Sequence, residues 1–109
     1  MLDREQLSHL MEDVGRQGFA EVVALFLQET DEGMEKLLRS DDPSGLASDL
    51  HFLKGAALNL GLREFGDMCH QGEVLARSGQ ASKLDRSELQ LTYQAGRSAL
   101  LTFTRENQG

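Results

Sequence analysis

Apolar residues recur three and four positions apart along nearly the whole chain, and no run alternates apolar with polar as a half-buried strand does. One proline, Pro43, stands in the 109 residues. Leu, Ala, Glu, Gln and Arg, all good helix formers, are abundant. The pattern therefore predicts an all-α chain.

The stripes can be followed in order. Leu7, Leu10, Met11 and Val14 share one face of a short first helix, which Gly15 can end. Phe19, Val22, Val23, Phe26, Leu27, Met34, Leu37 and Leu38 trace a longer second helix that Gly33 weakens without breaking. Ser40-Asp41-Asp42-Pro43 is the clearest punctuation, with Asp42 as a cap and Pro43 suited to a first helical position. A third helix then presents Leu46, Leu50, Leu53, Ala57 and Leu60, and Gly61 stops it. Phe65, Met68, Cys69, Gly72 and Leu75 or Ala76 mark a fourth, ending near Ser78-Gly79. Ser82 and Asp85 form a plausible capping pair before a last helix carrying Leu84, Leu91, Ala95, Ala99 and Phe103. Short loops between such helices predict an up-and-down four-helix bundle with an additional short N-terminal helix, in one domain spanning residues 1–109.

Charge and composition narrow the partners. Eleven basic against 18 acidic residues give a net charge of −7, which repels nucleic acid and anionic membrane. Cys69 is the sole cysteine, so an internal disulfide and a cysteine-rich zinc site are both excluded. No apolar run is long enough to span a bilayer, and the N-terminus lacks the layout of a signal peptide. A cytoplasmic monomer is expected.

The run HFLKGAALNLG, residues 51–61, carries the chemistry. At roughly 100° per residue, His51 points about 140° and Lys54 about 80° away from the apolar stripe of its helix. Gly55 lies one turn beyond His51 in nearly the same direction, and Ala47 and Leu58 border the patch. Histidine can accept a phosphoryl group and pass it on near neutral pH. An adjacent ammonium offsets phosphate charge, and a glycine one turn along lets another protein come close.

This run resembles the phosphoacceptor motif of histidine-containing phosphotransfer (HPt) domains, and the order of helices matches over nearly the whole chain, as in a stand-alone member. The resemblance implies a carrier that relays phosphoryl groups between receiver-domain aspartates in a two-component phosphorelay. His51 matches the phosphoacceptor, Lys54 the basic residue that supports phosphate charge, and Gly55 the small position that admits the receiver. Glu73 matches a position on the next helix whose polar side chain often hydrogen-bonds the acceptor imidazole. A carboxylate there would fix the tautomer and free the other ring nitrogen; a solvated glutamate would do neither. Gly72 departs from the family, which has a larger apolar residue there, and so loosens the expected packing around Glu73. The implied partners are receiver domains of response regulators or of a hybrid histidine kinase. The chain itself needs no cofactor, and Mg²⁺ is expected on the partner receiver. Without a GxxxxGK[ST] motif or a kinase glycine-rich loop, no ATP binding or autokinase activity is expected.

Two other readings compete. An HPt-shaped interaction module without phosphotransfer would not need His51, Lys54 and Gly55 together. A metal-binding bundle could use Glu5 with His9, or Asp67 with His70, but both pairs point away from their apolar stripes, whereas bundle metal sites face inward. Cys69 falls within an apolar stripe and reads as a small core residue rather than a nucleophile.

Overall fold

A computed structural model describes residues 2–107 and shows four helices: α1 (Arg4–Arg39), α2 (Pro43–Asn59), α3 (Arg63–Arg77) and α4 (Arg86–Glu106). A single 3₁₀ turn, Ala81–Lys83, leads into α4. Each helix packs on the next in sequence, and α4 closes the bundle against α1.

The expected break at Gly15 is real. Its backbone lies at φ 79°, ψ 159° inside α1, so residues 4–14 form a short arm set off from the main segment, 16–39. Glycine reaches this conformation without the Cβ clash any other residue would meet. Asp3 caps the arm by accepting from the Gln6 N–H at 3.1 Å, and its own N–H donates to Gly61 O at 2.8 Å. Arg63 also pairs with Asp3 at 2.9 Å, so the arm is tied to the α2–α3 corner.

Leu7, Phe19, Leu37, Leu46, Leu50, Leu53, Leu60, Phe65 and Leu100 are fully buried and form the centre of the core. Burying each such side chain stabilises the fold by roughly 1.5–3 kcal/mol before conformational entropy is subtracted. Two polar ties join α1 to α4. Asp31 accepts two bonds from Arg97 and one from the Tyr93 hydroxyl. Arg86 Nη1 donates to the carbonyls of Leu37 and Ser40, at 2.7 and 2.6 Å, and so caps the C-terminus of α1.

Three expectations are corrected. The buried face of α4 consists of Leu89, Tyr93, Gly96, Leu100, Phe103 and Thr104. Leu91 is 72% exposed, Ala95 is exposed, Ala99 is half-buried, and Leu84 precedes the helix. Gly96 is buried because Leu62 packs over it, where an added Cβ would lie 3.1 Å from Leu62 Cδ2. The cap of α4 is Asp85 itself, accepting from the Glu88 N–H at 3.0 Å, while Ser82 belongs to the 3₁₀ turn. Gly72 does not loosen α3: Leu84 and Leu50 fill the space, with an added Cβ 2.8 Å from Leu84 Cδ1 and 3.2 Å from Leu50 Cδ1.

Candidate functional site: an exposed histidine on a buried carboxylate

Helix α2 sets the aim of the site. Asp42 accepts from the Ser44 N–H at 3.1 Å, and Pro43 occupies the first turn. From this fixed start Leu46, Leu50, Leu53 and Ala57 turn into the core, which carries His51 outward. The His51 side chain is 64% exposed.

Helix α3 supplies what lies beneath it. Glu73 is only 8% exposed and faces α2. Its carboxylate oxygens stand 3.1 and 3.3 Å from His51 Nδ1. Lys54 Nζ donates to Oε1 at 3.1 Å, and Arg77 Nε donates to Oε2 at 3.0 Å. Burial alone would raise the pKa of this acid. The hydrogen bonds from Lys54, Arg77 and His51 outweigh it and hold the carboxyl at about 2. Glu73 is therefore ionised and can only accept. Its hydrogen bond with His51 thus requires the proton on Nδ1, and a neutral His51 presents its lone pair outward on Nε2. Together Lys54, Arg77 and Glu73 carry one net positive charge beside the imidazole, a setting suited to an incoming phosphoryl group.

Gly55 is exposed one turn beyond His51, and a Cβ built there meets no other atom within 4 Å. Gly72 and Gly96 are glycines because neighbouring side chains fill their space; packing within the chain makes no such demand of Gly55. Leu58, 51% exposed, extends the patch. Ala47 does not: it is buried, because α2 packs against both α1 and α3 and its buried arc is wide enough to take in Ala47. On the α1 side a groove next to His51 is lined by Phe26, Glu29, Phe52, Gly55, Ala56 and Asn59.

Sequence reasoning missed Arg77 and Phe52. Arg77 stands four residues after Glu73 on one helix, a spacing that signals an ion pair. Phe52 is a large apolar residue directly after His51 and off the core stripe, and it is 48% exposed.

Other reactive groups lie elsewhere. Burial pushes the Cys69 thiol up to about 12, so it stays protonated in the core at neutral pH. Glu5 and His9, like Asp67 and His70, are exposed residues. Among the described residues no group of three or more His, Cys, Asp and Glu side chains could hold a metal ion. No helix of the described residues is long and apolar enough to cross a membrane.

A helical bundle with an exposed, carboxylate-anchored histidine has the architecture of a phosphoryl carrier. The Hpt domain family model matches residues 21–102, from the main segment of α1 into α4, and the chain belongs to that family. Hpt domains are phosphocarrier modules, not kinases; they act in two-component phosphotransfer and interact with receiver domains. No curated protein and no solved structure matches the chain.

Proposed function

We propose that the chain is a histidine phosphotransfer protein that relays a phosphoryl group between the aspartates of two receiver domains, with His51 as the carrier. The observation that carries this reading is the clamp on Nδ1, which leaves Nε2 as an outward nucleophile on an exposed ring. In the first transfer the Nε2 lone pair attacks the phosphorus of a receiver's aspartyl phosphate. An N–P bond forms, the P–O bond to the aspartate breaks, and the carboxylate leaves with the electron pair. The imidazole becomes cationic while phosphorylated, and the Glu73 carboxylate at Nδ1 stabilises that charge. Attack by a second receiver's aspartate reverses the sequence.

Lys54 and Arg77 offset charge on the phosphoryl oxygens, while Gly55 and Leu58 form docking surface. The receiver brings the acidic pocket and Mg²⁺. The chain works as a monomeric carrier with no ATP-dependent activity of its own. The test mixes the purified chain with receiver domains phosphorylated by a small-molecule donor and follows the label. Transfer to the wild type, lost in a folded His51→Gln variant, is the expected result. The label should be acid-labile and base-stable, as an N–P bond is. Acid-stable label, or label that persists in His51→Gln, refutes the assignment.

A further inference from the structure

The groove beside His51 does not stop at Gly55. A second groove on the α1–α2 seam is lined by Glu29, Glu32, Gly33, Lys36, Asp49 and Phe52. The two share Glu29 and Phe52, so they adjoin along the α1–α2 seam between His51 and Asp49. At Gly33 the side chains of α2 fill the space, since an added Cβ would lie 3.0 Å from Leu53 Cδ2 and 3.4 Å from Phe52 Cε2.

The groove beside His51 is mostly apolar, with Glu29 at its border, and the second groove is acidic. Glu29 and Glu32 are exposed and form no hydrogen bond or ion pair among the described residues. The Asp49 side chain is only 11% exposed; its Oδ1 pairs with Lys36 at 3.3 Å, and its buried Oδ2 has no hydrogen-bond partner among the described residues. Lys36 is itself 71% exposed and is the one cation set against three carboxylates. On the opposite flank of His51 the balance reverses, with Lys54 and Arg77 against Glu73.

We propose that this acidic end of the seam selects the partner: it favours a receiver carrying lysine or arginine on the segment that lies along α1 when its aspartate faces His51. The inference rests on the phosphotransfer reading above and adds the chemistry of the receiver to it. Charge complementarity and the adjacency of this groove to the one beside His51 support it. An ammonium or guanidinium entering the seam meets the exposed carboxylates of Glu29 and Glu32, which no cation of this chain pairs among the described residues. A receiver with acidic residues on that segment meets three carboxylates and docks poorly.

The test uses the full chain and a panel of receiver domains, phosphorylated with acetyl phosphate and grouped by charge beside the phosphorylated aspartate. The seam variant is Glu29→Lys/Glu32→Lys. A control with the same charge change, Glu12→Lys/Glu106→Lys, alters exposed positions outside the groove. Wild type is expected to accept phosphoryl groups fastest from receivers basic on that segment, and added salt should slow this transfer. In the seam variant kcat/KM from those receivers falls at least tenfold and its salt dependence flattens or inverts, while the control stays within about twofold of wild type. Equal rates for the seam variant and wild type overturn the inference while leaving the carrier assignment intact. An equal fall in the control does the same, because it shows an effect of net charge alone. If the seam variant changes the chain's own association state in ultracentrifugation, the groove is a self-contact and the receiver assignment falls. Absence of transfer from every receiver to wild type overturns the phosphotransfer reading, and this inference with it.

Discussion

Gly55 gives the sharpest separation between a requirement of the fold and a requirement of docking. Glycine in a helix interior costs roughly 0.5–1 kcal/mol relative to alanine. At Gly55 a Cβ would meet nothing within 4 Å, so no clash offsets that gain. Gly55→Ala is therefore expected to stabilise the chain by about 0.5–1 kcal/mol, which raises the melting temperature by roughly 2–8 °C for a domain of this size. Gly55→Gln should retain part of that gain, since Gln is also a good helix former.

Transfer responds in the opposite direction. A receiver whose aspartate comes within bonding distance of His51 must lay its surface over the next turn, where Gly55 stands. Forcing extra methylenes into a packed contact costs about 1–3 kcal/mol, and each 1.4 kcal/mol is a factor of ten. Gly55→Ala should slow receiver transfer modestly, and Gly55→Gln by roughly 10- to 100-fold. Single-turnover transfer from a phosphorylated receiver measures this beside a thermal melt. Phosphoramidate, which needs no docking surface, should still label His51 in Gly55→Gln. Unchanged receiver transfer in that variant makes the glycine incidental. A melting temperature that fails to rise in Gly55→Ala refutes the open-space argument itself.

Glu73→Gln removes the ionised acceptor under Nδ1 and lets an amide N–H face the ring, so the proton can shift to Nε2; loss of a charge-assisted bond worth about 1.5–3 kcal/mol predicts a 10- to 100-fold slower transfer. Nitrogen NMR of the imidazole reads the tautomer, and a retained Nδ1–H form with wild-type transfer would dismiss the clamp. Lys54→Ala should slow transfer about tenfold without abolishing it, because Arg77 remains on Glu73; a wild-type rate would reduce Lys54 to a solubilising role. In acid, stability should fall as pH drops from about 4.5 towards 2. Glu73 is held at about 2 against an ordinary 4.5, and Asp31 is also lowered, because the bonds from Arg97 and Tyr93 outweigh its burial. Over that window the unfolded chain binds more protons than the folded one, so stability is fully present above 4.5 and is lost on the way down. Urea midpoints across that range should show the slope, and Glu73→Gln should flatten it.

What could be read from the sequence was mostly what one helix decides alone. The direction of His51 follows from the α2 stripe and helix geometry, so it survived folding unchanged. The break at Gly15 and the stop at Gly61 follow from glycine's access to positive φ. The buried face of α4 was not legible in the same way. Its inner residues include Tyr93, Gly96 and Thr104, which carry weak or polar signals, while Leu91 points to solvent. Tyr93 lies inside because its hydroxyl reaches Asp31 on α1, a contact 62 residues away in sequence. Ala47 failed for a related reason: alanine suits either side of an interface, and two neighbouring helices decided its place. The departure at Gly72 was visible, but its compensation by Leu84 is a tertiary fact.

A net charge of −7 runs against what the site is proposed to do, since a receiver's phosphorylation pocket is itself acidic. Range resolves the conflict. At physiological ionic strength the Debye length is about 8 Å, so in a docked complex most of those charges are screened from the reacting atoms. What remains is local: Lys54 and Arg77, within hydrogen-bonding distance of Glu73 and adjacent to the imidazole, and the carboxylates of the α1–α2 seam. The first group attracts the acidic pocket and its phosphoryl group. The second repels it unless the same partner brings a cation of its own to the seam. Opposite charges on the two flanks of His51 therefore specify an orientation as well as a partner, because a receiver rotated half a turn about the His51–aspartate axis would carry its cation away from the seam and set it against Lys54 and Arg77.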